Sequence, residues 1–338
     1  MKRIALIVGA AGSFGSETAR ALLRHGFQVR GLARSPEKAR AAASWVGDVE
    51  WVKGDAMNAA DVLAAAEGAS VVVHGAHPPG YRNWKGLALP MLESSIAAAK
   101  AVGARLVFPG TLYNFGPDAF PVVTESSPQR PLTRKGAIRV AMEQRLEEAS
   151  RDGVRVLIVR AGDFFGPHTG GGSWFSAGLV RPRKPLGALM YPESPETGHA
   201  WAYLPDLAET IARLLDREPE LSTFERFHFG GHWFERGVEL AERTRDAAGV
   251  PAAKIRKFPW FLIVLLSPFV ETFREMLEMR YLWSTPVRLG NDKLVSFLRE
   301  KTGEAEPHTE ITVALRETLE GLGCLPRRPD GHAAFGTA

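Results

Sequence analysis

The chain reads as an α/β protein: a doubly wound parallel sheet with a smaller, interleaved, mostly helical C-terminal region. Three observations predict this. The apolar run Ile4-Ala5-Leu6-Ile7-Val8 passes through Gly9-Ala10-Ala11-Gly12-Ser13-Phe14-Gly15 straight into a helical segment from Glu17 to Arg24. Strand-like and helical runs then alternate over short connections, the pattern of a parallel sheet covered on both faces. After Gly166 the alternation gives way to a stretch rich in Gly, Pro and aromatics at 166–200, and residues 250–330 are largely helical.

Taken in order, strands are expected at 4–8, Gln28–Leu32, Val49–Val52, Ser70–His74, Arg105–Phe108 and Val154–Val159. Helices are expected at Ala59–Glu67, Gly86–Val102 and Lys135–Ser150. Val71-Val72-Val73 and Val156-Leu157-Ile158-Val159 are continuous apolar runs, as strands buried on both faces require. Beyond Gly166, Leu207–Leu215 reads as a helix and Thr223–Phe229 as a strand. Glu271–Trp283 reads as one amphipathic helix, and Thr309–Leu322 as a closing helix.

Composition sets bounds. The chain has 338 residues, 45% hydrophobic and 24% charged, with a net charge of +4. That is ordinary for a globular protein, and the length suffices for a full core. No Lys/Arg-rich run marks a nucleic-acid footprint, so no nucleic-acid partner is expected. Cys324 is the only cysteine. No disulfide can form within one chain, which suits a reducing, cytoplasmic setting. Met1-Lys2-Arg3 before an apolar run looks superficially like a signal peptide, but the run is better explained as the first strand. The stretch 258–270 (FPWFLIVLLSPFV) is too short to span a bilayer and carries Pro259 and Pro268. Burial in a second subdomain is the expectation. The alternative is a membrane-surface contact helped by Lys254, Arg256 and Lys257.

The glycine turn carries the functional signal. A strand, a glycine-rich turn and a helix N-terminus together cradle a pyrophosphate: glycines permit close backbone approach, and the helix offers free N–H groups. The spacing is G-x-x-G-x-x-G, formed by Gly9, Gly12 and Gly15, with Ser13 and Phe14 in the same turn. The end of strand two reads Val29-Arg30-Gly31-Leu32-Ala33-Arg34-Ser35, without a carboxylate for ribose hydroxyls. Arg34 instead suits a 2′-phosphate, so NADP(H) is expected over NAD(H), with Ser35 and Lys38 placed to assist. Asp55, followed by Ala56, meets the adenine amino group or caps the next helix.

These residues together resemble the extended branch of the short-chain dehydrogenase/reductase superfamily, the NAD(P)-dependent epimerases, dehydratases and reductases with a Rossmann-type domain. The resemblance covers nearly the whole chain. It implies that His74-Gly75-Ala76-His77 meets the cofactor, and that Arg160-Ala161-Gly162-Asp163-Phe164-Phe165-Gly166-Pro167 packs by the nicotinamide. It also implies that His199–Ala208 re-enters the cofactor domain. Residues 1–165, with 201–230 returning, are then the dinucleotide domain, and 166–200 with 231–330 the substrate region. Gly110-Thr111-Leu112-Tyr113-Asn114-Phe115-Gly116 resembles the family's S-S-x-x-V-Y-G turn and puts Thr111 at the catalytic Ser/Thr position. The family's frequent dimer makes a homodimer the expectation.

One departure stands out. The superfamily's catalytic Tyr-x-x-x-Lys is absent, and no Tyr occurs from Pro117 to Leu189. Aligned on Met142-Glu143-Gln144, Lys135 takes the Tyr position and Arg139 the Lys position. The segment Lys135–Glu143 resembles the K-x-x-I-R-R-x-I-E helix of isoflavone-reductase-like proteins, which are NADPH-dependent and whose matching Lys is taken as the catalytic acid or base. The physical case is separate. Residues four apart share a helix face, and two adjacent cations disfavour a protonated lysine. A lysine of depressed pKa is a usable acid or base near neutrality, whereas Arg139 stays charged and anchors.

The substrate wall is expected from Asp163, Phe164, Phe165, His168, Trp174 and Phe175, with Gly170-Gly171-Gly172 as a closing loop and His77, Tyr113 and Asn114 as polar handles. Such density of rings suits an apolar small-molecule carbonyl substrate. His168 and His199 lack further ligands at metal spacing, so no metal site is expected. The leading expectation is an NADP(H)-dependent reductase using Thr111, Lys135 and Arg139. A nucleotide-sugar epimerase or dehydratase and a catalytically silent NADP(H) sensor are the alternatives.

Overall fold

The computed structural model describes residues 3–78, 83–170, 173–192, 194–303 and 305–325. The first half lays down β1 (Ile4–Val8), α1 (Ser13–Arg24), β2 (Gln28–Ala33), α2 (Pro36–Ala42), β3 (Val49–Lys53), α3 (Ala59–Ala65), β4 (Val71–His74), α4 (Trp84–Val102) and β5 (Arg105–Gly110). A two-residue strand, β6 (Val122–Val123), precedes the long α5 (Arg134–Arg151) and β7 (Arg155–Arg160). Then come β8 (Asp163–Phe165), β9 (Leu189–Tyr191), β10 (His199–Tyr203), α6 (Leu204–Asp216), β11 (Phe224–His228) and β12 (His232–Phe234). The C-terminal part holds α7 (Glu239–Ala247), β13 (Ile255–Lys257), α8 (Trp260–Leu266), α9 (Glu271–Glu278), α10 (Tyr281–Ser284), β14 (Arg288–Leu289), α11 (Asp292–Thr302) and α12 (Ile311–Gly321).

Seven strands form one parallel sheet in the order β3-β2-β1-β4-β5-β7-β11. Its central strands β1, β4 and β7 hold continuous apolar runs because each face has its own helices, whereas the outer β2, β3 and β11 carry charged residues. Ala5 and Ile7 pack with α1, α6 and α11, while Leu6 and Val8 pack with α3, α4 and α5. The order reverses between β1 and β4, and ligands of open α/β sheets bind in the crevice at such a switch point. Val8 and His74 end the two strands there, in register.

Smaller sheets tie the C-terminal region to this frame. β12-β10-β8 is three-stranded, and β9 pairs β13 and β6 pairs β14. A third apolar cluster joins Phe165, Phe175, Trp201 and Trp283 to Leu315 and Leu319 of α12.

The structure corrects several sequence expectations. The expected Glu271–Trp283 helix is two pieces, α9 and α10, separated at Met279 and Arg280. Asp55 does not cap α3: Asn58 does, accepting from the Ala60 N–H at 3.0 Å. The expected burial of 258–270 is overturned. Only Trp260 and Ile263 of α8 are buried, and the other side chains of that helix are exposed. Length and hydropathy favoured burial, but a seven-residue helix flanked by prolines has only one side to bury.

The glycine turn is set by close contact. Gly9 has φ +91°, and a Cβ there would lie 2.7 Å from the Gly75 carbonyl carbon. A Cβ on Gly15 would lie 2.2 Å from the Gly9 oxygen. We therefore expect Gly15→Ala to lower the urea unfolding free energy by about 1–3 kcal/mol through overpacking. An unchanged midpoint would mean that the turn is looser than this geometry.

Candidate functional site

The site is built where β1, β4, β5 and β7 end. Gly12 is the N-cap of α1, and no side chain caps that helix, so its first N–H groups face the turn. Gly12 N–H donates to the Gly9 carbonyl at 3.0 Å, and Gly75 N–H to that of Val8 at 2.8 Å. The cradle thus closes on Gly75 and Ala76 at the end of β4. Ser13, Phe14 and Gly15 form the first turn of α1. These residues fit a dinucleotide: a tight glycine turn and a helix start with no side-chain cap meet at the switch point of the sheet. Arg34 is exposed just past β2. Asp55 is half-buried and uses one carboxylate oxygen to hold the Met57 N–H at 2.9 Å. Ala56, beside it, is half-buried, and His77 is exposed.

Thr111 follows β5 directly. Its hydroxyl accepts from the Tyr113 N–H and donates to Asn114 Oδ1, both at 3.3 Å. Gly136 brings this turn against α5: a Cβ there would sit 2.2 Å from the Tyr113 carbonyl oxygen. That contact fixes the first turn of α5, and with it Lys135, beside Tyr113.

Lys135 is almost completely buried. Its Nζ donates to the Glu275 carbonyl at 2.6 Å and pairs with the Glu275 carboxylate at 3.1 Å. Burial pushes its pKa below the ordinary lysine value, and the hydrogen bond and charge of Glu275 oppose that push. Glu278, one turn along α9, accepts the Arg134 N–H at the start of α5, a favourable place for an anion. Arg139 lies one turn below Lys135. It donates to the Pro109 carbonyl at 3.2 Å and stands 4.9 Å from the Phe108 ring. It also faces His74, which burial first and Arg139 second hold down at about pH 3. Arg139 is therefore at the ends of β4 and β5, beside the cradle.

A buried polar chain that the sequence reading missed holds the Thr111 turn. Asn114 donates to Gln129 at 2.9 Å, and Gln129 to Glu143 at 2.8 Å. Glu143 pairs with Arg160 at 2.7 Å, and Arg160 also donates to the Thr111 carbonyl. Arg160 Nε donates to His228 Nε2 at 3.2 Å, and His228 Nδ1 donates to the Val123 carbonyl at 3.1 Å. Burial, then Arg160, keeps His228 neutral, with a pKa near 3. Asn114 is fully buried in this chain, so it is a positioning residue and not a substrate handle. The signal was present: Arg160 ends an apolar strand, and Glu143 lies one turn beyond Arg139.

The expected substrate residues divide. Asp163 accepts from His199 Nε2 at 2.8 Å, and His199 stacks on Trp283 at 4.0 Å. Trp174 joins that cluster, 5.2 Å from Trp283 and 5.8 Å from Trp260. Phe164 instead packs against the α1/α6 core, and Phe165 and Phe175 are buried in the third cluster. His168 is held by α1: its Nδ1 meets buried Glu17 at 2.9 Å, and its ring stacks on Trp45 at 3.4 Å. The sequence pattern could not distinguish these fates, because an aromatic-rich stretch has no period. Ala161 is buried beside the end of β5, and a Cβ on Gly162 would meet the Ala200 oxygen at 2.4 Å. Gly171 and Gly172 of the expected closing loop lie outside the described residues. Besides Tyr113 within the Thr111 turn, Tyr281 of α10 reaches that turn from outside. It donates to the Phe115 carbonyl at 3.4 Å, and burial, aided by Glu278, pushes it up to about 12.

The family model for NAD dependent epimerases/dehydratases matches residues 5–228. The chain belongs to that family. Among curated proteins none matches its sequence. Solved structures share its fold. The UDP-glucuronic acid 4-epimerase of Bacillus cereus, in complex with NAD, superposes with a TM-score of 0.71 at 16% identity, over 94% of this chain and 98% of that one. The dTDP-glucose 4,6-dehydratase of Streptomyces venezuelae, with NAD and TYD bound, gives 0.70 at 18%, over 94% and 96%. The UDP-glucose 4-epimerase of Bifidobacterium longum, with NAD+ and UDP, gives 0.68 at 16%, over 95% and 97%. A nicotinamide dinucleotide is therefore this family's cofactor.

The Glu143–Arg160 pair generates a prediction. Arg160→Met leaves a carboxylate buried without its partner and is expected to destabilise by about 3–5 kcal/mol. Adding Glu143→Met should recover much of that loss in a double-mutant cycle of urea unfolding. Simple additivity of the two losses would contradict the pairing.

Proposed function

We propose that this protein is an NADP(H)-dependent oxidoreductase that reduces a small carbonyl or activated double bond, with Lys135 in the place of the usual tyrosine. The observation that carries the reading is Lys135 itself: buried, depressed in pKa, and adjacent to the Thr111 turn through the Gly136–Tyr113 contact. Gly9, Gly12 and the first turn of α1 would hold the pyrophosphate, Arg34 the 2′-phosphate, Asp55 and Ala56 the adenine side, and Gly75, Ala76, His77, Ala161, Gly162 and Arg139 the nicotinamide end. When bound, the dinucleotide supplies the hydride.

The chain's own residues supply the rest. Lys135 holds a proton at Nζ, and Glu275 sets how readily it is released. Thr111 Oγ1, fixed by the buried chain behind it, offers a hydrogen bond to a developing oxyanion. Arg139 keeps a permanent charge at the Pro109 carbonyl and beside buried His74, while the cation that disfavours a protonated Lys135 is Arg134. Asp163, His199 and the Trp174–Trp283 cluster form an apolar wall with one polar handle.

A second reading, a nucleotide-sugar epimerase or dehydratase, is favoured by the family match and by the NAD-containing structures of like fold. The missing tyrosine weighs against it, since that chemistry begins by oxidising an alcohol.

The test is binding of NADPH and NADH, followed by nicotinamide absorbance with aldehydes, ketones, enones and UDP- or dTDP-sugars. The proposal expects NADPH to bind more tightly and a carbonyl or enone to be turned over. Arg34→Ala should weaken NADPH about tenfold or more and leave NADH nearly unchanged, as loss of a charge-assisted contact does. Lys135→Met should slow turnover about 100-fold or more at unchanged NADPH affinity. NADH preference would overturn the role of Arg34, and unchanged turnover that of Lys135. Conversion of a nucleotide sugar alone would establish the second reading. Tight binding without turnover on any substrate would leave a silent sensor.

A further inference from the structure

The segment 258–270 presents an apolar surface that the proposed chemistry does not use. Phe261, Leu265 and Phe269 are 71%, 67% and 86% exposed. Leu262, Val264, Leu266 and Val270 are exposed beside them. Ser267 is the only polar side chain from Phe258 to Val270. A contiguous set of this kind is unusual on the surface of a soluble monomer and marks a contact site. The buried residues are the anchor: Trp260 Nε1 donates to the Pro192 carbonyl, and Trp260 packs on Phe258 and Trp174. The finger is thus pinned to the body on one side and bare on the other.

Charge says what it meets. Lys254, Arg256 and Lys257 precede the finger, all exposed. No ion pair or side-chain hydrogen bond engages them among the described residues. The nearest carboxylate in sequence on the other side, Glu271, is occupied in accepting the Asn83 N–H at 3.2 Å. An apolar patch beside unpaired cations matches the anionic surface of a bilayer, whose interface takes apolar side chains to a depth of about 5–10 Å and attracts Lys and Arg. A second copy of this chain fits less well: in a two-fold contact the same patch meets itself, and from Lys254 to Val270 it holds three cations and no carboxylate to pair with them. No helix of the described residues is long and apolar enough to cross a membrane, so the contact is one of surface insertion.

We propose that α8 and Phe269 insert into the interface of an anionic lipid bilayer, with Lys254, Arg256 and Lys257 on its headgroups. The placement has a consequence for the site. α9, which follows the finger directly, carries Glu275 and Glu278, the carboxylates on Lys135 and on the N-terminus of α5. The lipid-facing finger is therefore one turn of chain from the element that covers the candidate catalytic lysine.

The test is co-sedimentation of the full chain with sucrose-loaded vesicles of phosphatidylcholine alone and of phosphatidylcholine mixed with phosphatidylglycerol, together with light scattering of the free protein. The proposal expects sedimentation with the anionic vesicles at least tenfold stronger than with the neutral ones. It expects Leu265→Asp/Phe269→Asp to abolish binding at an unchanged unfolding midpoint, since both side chains are already in water. Lys254→Ser/Arg256→Ser/Lys257→Ser should weaken binding about tenfold or more. Equal or absent sedimentation of the wild type with both vesicles would overturn the proposal without reference to any variant. So would a dimer in solution that Leu265→Asp/Phe269→Asp dissociates, which would make the patch a self-association surface.

Discussion

Lys135 has lost nearly all of its water, and Glu275 takes the water's place with a backbone carbonyl and a carboxylate. A buried ammonium is tolerated only when so compensated, and removing either partner leaves an uncompensated charge. The compensation comes from α9, more than a hundred residues further along the chain. Glu278 and Glu271 extend the same tie to the starts of α5 and to Asn83 before α4. The C-terminal region is thereby fastened across the end of the sheet where the dinucleotide crevice opens. A lysine held between desolvation, which lowers its pKa, and a carboxylate, which raises it, can be poised in a way that an exposed lysine is not.

The other half of the site is fixed by backbone contact and a buried polar chain. Gly9 lies too close to Gly75, and Gly15 too close to Gly9, for either to carry a Cβ, and that proximity gives the cradle its shape. Thr111 is set from behind by Arg160, whose guanidinium spans the Thr111 carbonyl, Glu143 and His228. The neutral tautomer of His228, donating from Nδ1 and accepting at Nε2, continues the chain to the Val123 carbonyl, while Glu143 makes both of its bonds through Oε2 and leaves Oε1 buried without a partner.

How much of this was legible in the sequence follows from the range of each interaction. The sheet was readable because every strand in it is a run whose alternate residues feed two apolar faces. The turn at Gly9–Gly15 was readable because its chemistry is local. Four residues make one helical turn, which puts Lys135 and Arg139 on one side of α5 but does not say that the first turns to Glu275 and the second to the Pro109 carbonyl. Glu275 was not readable, since nothing in the local pattern of α9 says which cation it meets. The same holds for His168, whose partners Glu17 and Trp45 come from the first fifty residues. The finger at 258–270 was misread for a different reason. Hydropathy reports what a segment prefers, and a short helix between two prolines has too few packing partners to satisfy the preference.

The account turns on the ionisation of Lys135. It is most directly measured by a pH titration of its Nζ by nitrogen-15 NMR of lysine-labelled protein, in the wild type and in Glu275→Gln. The account predicts a pKa below that of an ordinary lysine in the wild type, displaced further downward when the Glu275 charge is removed. A pKa at or above the ordinary value, indifferent to Glu275→Gln, would contradict it.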